Sequence, residues 1–225
     1  MKTYEMTHEP IKHLFYNVLD HETKTYISDF ISVLVLKQNN YTTDMLWIAD
    51  QKIGGVGGYA MPPDPTKNPF NKGIERSLYR PLQYARSNIE INDVRINSRY
   101  VIQNSGMHLE FVARLFLKEN KALQDLRFNN TTFGKCVSKL KRTGQIDKET
   151  LIALDELVKV YNLSKHEVNK DPSRDMFFNA FEGIAYYFSA RVIGVKLLRM
   201  INYPQSLDVF KINNKVSELL KSMKD

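Results

Sequence analysis

Residues 132–166 read TFGKCVSKLKRTGQIDKETLIALDELVKVYNLSKH, and this stretch decides the fold. A short helix is predicted from Phe133 to about Lys141, with Gly144 supplying the break after it. Asp147 is a good N-cap for a second helix, whose apolar face carries Leu151, Leu154, Leu157, Val158 and Tyr161. That helix ends in Asn162, Lys165 and His166, a polar cluster that makes its end a candidate site.

Working upstream, Val94, Val101, His108 and Leu115 recur at seven-residue steps, with Asn97, Asn104 and Phe111 between them. All seven are expected on one inward stripe of a helix of more than twenty residues. Asn97, Asn104 and His108 would then satisfy one another in a buried network or line a cleft. From Ile11 to Leu36 the spacing of Ile27, Phe30, Ile31, Leu34 and Val35 is helical, and Pro10 suits a first turn; one long helix or two short ones fit. Between these regions lie a short apolar run, Met45 to Ile48, and a loop region with Gly54, Gly55, Gly57, Gly58, Pro62, Pro63, Pro65 and Pro69. Gly55 to Ala60 formally matches a GxGxxA dinucleotide fingerprint. Pro62 and Pro63 stand where the phosphate-binding helix would begin, so the loop is read as flexible or partner-contacting.

Downstream, Asp171-Pro172 is expected to open a last long helix that Pro204 ends. Its aromatics, Phe177, Phe178, Phe181, Tyr186, Tyr187 and Phe188, belong to the core or to a dimer interface. Ile184 to Ile201 is apolar but contains Arg191, Lys196 and Arg199, which makes it a buried helix and not a membrane span. Residues 207–223 hold one more amphipathic run. The organisation predicted is a helical and Gly/Pro-loop extension over 1–74, a helical bundle over 75–203 and a helical tail over 204–225.

A hydrophobic fraction of 43% with 25% charged residues suits a globular chain that buries one good core. The net charge of +7 is unevenly spread: residues 1–70 carry −2, leaving +9 for the remainder. That asymmetry favours an anionic partner, whether RNA, DNA or a phosphate-rich ligand, with a merely solvated basic surface as the alternative. Cys136 is the sole cysteine, so no intramolecular disulfide can form and a reducing, cytoplasmic location is expected. Lys135 and Lys139 could activate its thiol, but no histidine is placed by sequence as its base, and packing is the simpler role. The start, MKTYEMTHEP, has no apolar signal region. His8, His13, His21, His108 and His166 lack paired metal-ligand spacing, so no metal or cofactor is expected; GxSxG, P-loop and HExxH motifs do not occur.

The order of features from residue 90 to residue 202 resembles the HEPN superfamily, all-helical domains of prokaryotic defence, toxin–antitoxin and RNA-processing systems. A long helix with Glu110 in its second half precedes a Phe-Gly-Lys helix start, then LKRTGQI, a leucine-bearing helix, and Asn162-x-x-x-His166. The resemblance implies a four-helix bundle, a homodimer and metal-independent RNA cleavage at paired motifs of Arg, a polar residue and His. A neutral imidazole can accept the ribose 2′-hydroxyl proton or protonate the leaving oxygen, while a guanidinium neutralises the phosphate. Asn162 matches the polar position and His166 the histidine, but Tyr161 replaces the arginine and brings no charge. The expected catalytic set is therefore His166, Asn162 and Tyr161, in a weak or degenerate site, with Lys135, Lys139, Lys141, Arg142 and Lys165 meeting RNA. A non-catalytic helical module that binds a protein partner is the alternative.

Overall fold

A computed structural model describes residues 6–35, 50, 53, 73–90, 93–122, 130–165 and 178–201. Every element among the described residues is helical: α1 (Glu9–Asn17), α2 (His21–Val35), α3 (Gly73–Glu90), α4 (Val94–Glu119), α5 (Phe133–Thr143), α6 (Lys148–Lys165) and α7 (Ala180–Met200). The described residues form an all-α structure, as the periodicities imply. Its ends are set by local chemistry. Pro10 stands at the start of α1, the Asp93 carboxylate receives Arg95 N–H to open α4, and Gly144, at φ +65°, closes α5. The N-terminal region forms two helices, with Val18 to Asp20 between them.

Helix α4 is the spine, packing against α3, α5, α6 and α7, while α7 also meets α1 and α2. Ile11, Leu14, Phe15, Ile27 and Phe30 of the first two helices join the same core as Leu109, Leu157 and Phe188. The N-terminal segment is fastened there by a buried carboxylate. Glu182 Oε1 accepts from the backbone N–H groups of Thr7 at 2.6 Å and His8 at 2.9 Å, and the same carboxyl closes a capping box with Asn179 at the head of α7. Burial pushes the Glu182 pKa up, but the hydrogen bonds from His8 outweigh it and hold the group below the usual carboxylate range.

Two expectations need correction. Asp171-Pro172 does not mark the start of α7, which begins at Ala180 with Asn179 as N-cap; 171–177 and Pro204 lie outside the described residues. Within α4, Val94, Val101, His108 and Leu115 are buried, but Asn97 and Asn104 are not in the core. The buried face continues instead through Ser98, Ser105 and Val112. A seven-residue step falls about 20° short of two turns, so positions three residues on drift off the core face while those four residues on stay with it.

Burial leaves the centre of the molecule with an unusual polar cluster. Arg191 Nε donates to Asp50 Oδ1 at 2.5 Å, and Tyr187 donates to the same oxygen at 3.1 Å. Both ion-pair partners are at most 1% exposed. His108, also fully buried, donates Nδ1–H to the Leu78 carbonyl at 2.7 Å, which fixes its tautomer because a carbonyl can only accept. Its Nε2 faces the backbone of Gly194, where a Cβ would lie 2.7 Å away.

Burial drives the His108 pKa down from 6.5 to about 3, and the nearby Arg191 charge adds to the effect. The folded protein therefore keeps His108 neutral where the unfolded chain binds a proton, so its contribution is complete above about pH 6.5 and is lost as pH falls towards 3. Unfolding free energies from urea titrations between pH 7 and pH 5 should fall, by up to about 1.4 kcal/mol per pH unit from this group. In His108→Leu that slope should shrink even though the variant is less stable throughout.

Candidate functional site

The C-terminal turn of α6 is built from three sides. Tyr161 is a core residue, 2% exposed, its ring set against the backbone of Gly106 so closely that a Cβ there would overlap it, 2.6 Å from Cγ. Phe133 meets the same ring edge-on at 6.1 Å. On the remaining side Lys165, one turn later, folds its ammonium over the ring, 3.7 Å from the centroid. Burial, with the Glu110 carboxylate nearby, holds the Tyr161 hydroxyl far above the ordinary phenol range, so it stays protonated.

The end of this helix is held by α4. Arg99 Nε and Gln103 Nε2 donate to the Ser164 carbonyl at 2.8 and 2.7 Å, satisfying a last-turn acceptor that has no partner within the helix. Ser164 in turn donates its hydroxyl to the Tyr161 carbonyl at 2.7 Å. Asn162 sits on the exposed side of the same turn. His166 lies outside the described residues, one position beyond Lys165. The start of α6 is anchored separately: Asp147 receives Thr150 N–H at 2.9 Å and pairs with Lys196 of α7 at 2.8 Å, and the Lys196 hydrogen bond leads the causes that hold its carboxyl well below the usual range.

Beside Tyr161, Glu110 and Arg114 form an ion pair one turn apart on α4. Glu110 Oε2 also accepts the Phe133 N–H at 3.1 Å, and Arg114 Nε donates to Thr131 O at 2.7 Å, so the pair fixes the start of α5. Cys136 is enclosed there, and burial pushes its thiol up to about 12, which suits packing and not nucleophilic chemistry.

The expected RNA-contacting cations are spread over α5 and the end of α6. Lys135 and Arg142 are exposed, Lys139 is half-buried, and Lys141 is paired with Asp155 at 2.7 Å. Lys165 is the member that joins Tyr161 and Asn162. Residues that sequence reading passed over are Arg99 and Gln103, whose partner lies more than sixty positions away, and Arg114, for which Glu110-x-x-x-Arg114 was a usable i,i+4 signal. Among the described residues no three His, Cys, Asp or Glu side chains form a metal-sized group, and no helix is long and apolar enough to cross a membrane. Comparison with family models, with characterised proteins and with solved structures finds no match to the chain.

The Tyr161–Gly106 contact makes position 161 a packing position. Tyr161→Phe should change stability by less than about 1 kcal/mol, whereas Tyr161→Ala should cost about 3–5 kcal/mol and Tyr161→Arg should also be strongly destabilising, because it buries a charge. Gly106→Ala should cost about 1–3 kcal/mol by overpacking. Urea denaturation of the four variants checks the order.

Proposed function

We propose that the chain is a HEPN-like, RNA-associated protein of prokaryotic defence or toxin–antitoxin type, with a weak, metal-independent endoribonuclease site at the end of α6. The observation that carries the reading is the position of Lys165. Tyr161 replaces the motif arginine and is buried, but Lys165 brings an ammonium to 3.7 Å from its ring, next to Asn162, on a turn tethered by Arg99 and Gln103. Lys165 would supply the cation that the motif needs, although as a point charge and not as a bidentate fork. His166 would be the acid or base, its neutral imidazole taking the 2′-hydroxyl proton or protonating the leaving oxygen. Pairing of two copies, which the resemblance implies, would include α6, the helix that carries Asn162, and leave the exposed row Ile96, Tyr100 and Met107 of α4 open. Tyr186, Tyr187 and Phe188 of α7 are not available for it, since they are fully buried.

The exposed row also favours a second reading, a non-catalytic helical module that docks a protein partner through α4. Cleavage of labelled single-stranded RNA separates the two. The RNase reading predicts slow cutting that survives EDTA, disappears in His166→Ala and falls about tenfold or more in Lys165→Gln, because one acid–base group contributes only about 10²–10⁴-fold. Cleavage that EDTA abolishes, or that His166→Ala leaves unchanged, would defeat it; absence of both cleavage and RNA binding would favour the docking module.

A further inference from the structure

A cleft of about 320 Å³ opens between α3 and α4, within the range of small-ligand sites, about 300–1,000 Å³. Its walls are aromatic and apolar: Tyr84, about half exposed, with Phe111 and Met107. Two guanidinium groups and the Glu110 carboxylate line it, and because Glu110 pairs with Arg114 the lining's net positive charge comes from Arg80. Arg80 is held by the Gln83 side-chain oxygen at 3.2 Å and lies 5.8 Å over the Tyr84 ring; Arg114 is braced by Glu110 and the Thr131 carbonyl. Asn104 adds an amide, one N–H of which goes to the Tyr100 carbonyl at 2.9 Å, so that its oxygen and second N–H serve a ligand.

A simple anion would make no use of Tyr84 and Phe111. An apolar molecule would make none of the two arginines. We propose that the cleft binds a nucleotide unit, with the base stacked on Tyr84 and read by Asn104 and the phosphate on Arg80. The unit could be a free mononucleotide or one residue of a single strand. The row Met107, Tyr100 and Ile96 continues from the cleft along α4, about 10 Å from Met107 to Tyr100, towards the turn where Arg99 and Gln103 hold α6. A strand seated in the cleft would therefore be led to the candidate site. That strand form rests on the RNA reading above; the cleft itself does not.

The test is titration of the full chain with fluorescein-labelled single-stranded oligoadenylate by anisotropy and with AMP by calorimetry, in wild type, Tyr84→Phe, Tyr84→Leu and Arg80→Gln. Tyr84 is at the surface, so its variants should fold, and equal urea midpoints verify this. The expected result is oligonucleotide binding retained in Tyr84→Phe, weakened roughly tenfold in Tyr84→Leu, and weakened in Arg80→Gln with the salt slope reduced by about one. Oligonucleotide bound equally by all four proteins overturns the cleft and leaves the RNA reading standing. AMP bound by wild type and lost in Tyr84→Leu, without oligonucleotide binding, supports the cleft and overturns the RNA reading. Binding of neither probe overturns the proposal.

Discussion

A guanidinium buried in the middle of α7 governs this structure. Arg191 is enclosed among helices, where an uncompensated charge would cost several kcal/mol, and its charge is met by Asp50 with Tyr187 on the same carboxylate oxygen. Asp50 falls between α2 and α3 in the chain, so the ion pair joins that position to the bundle. The same charge helps to keep His108 neutral on the facing helix. Glycines let α7 come this close to α4: a Cβ at Gly183 would lie 3.1 Å from Ser98, and one at Gly194 would press on His108. Their spacing of eleven residues, about 16 Å of helix, brackets the buried arginine.

With α7 fixed against one face, α4 distributes the remaining contacts. Its start reaches the end of α6 through Arg99 and Gln103, its second half reaches the start of α5 through Glu110 and Arg114, and Gly106 between them receives the Tyr161 ring. The face left to solvent carries Ile96, Tyr100 and Met107. One helix thus positions the polar end of α6, and its outer surface runs beside both that end and the cleft against α3. Whatever binds there meets α4 first.

Much of the architecture was legible in local signals. Gly144 and Asp147 punctuate α5 and α6 where their chemistry demands, and His108 is buried as its spacing implied. Asn97 and Asn104 misled because a seven-residue rule ignores the drift of a straight helix. The start of α7 was misjudged because Asn179 and Glu182 form the capping box, a stronger signal than Asp171-Pro172. Of the aromatics read as core or interface, Phe178, Tyr186, Tyr187 and Phe188 are in the core and Phe181 packs against it. At the candidate site, the Lys165–Tyr161 contact follows from i,i+4 geometry and was readable. The supports of that site were not: Arg99 and Gln103 on Ser164, like Arg191 on Asp50, join residues from 61 to 141 positions apart, and no local pattern encodes such pairs.

An RNA strand bound as proposed would lie along α4 and at the end of α6. Photocrosslinking of a 4-thiouridine-substituted single strand to the full chain, followed by peptide mapping, reads that placement directly. Crosslinked peptides should come from residues 80–84, 96–111 and 162–166. Crosslinks confined to the first two helices, residues 9–35, or none above the level seen with a denatured control, would contradict it.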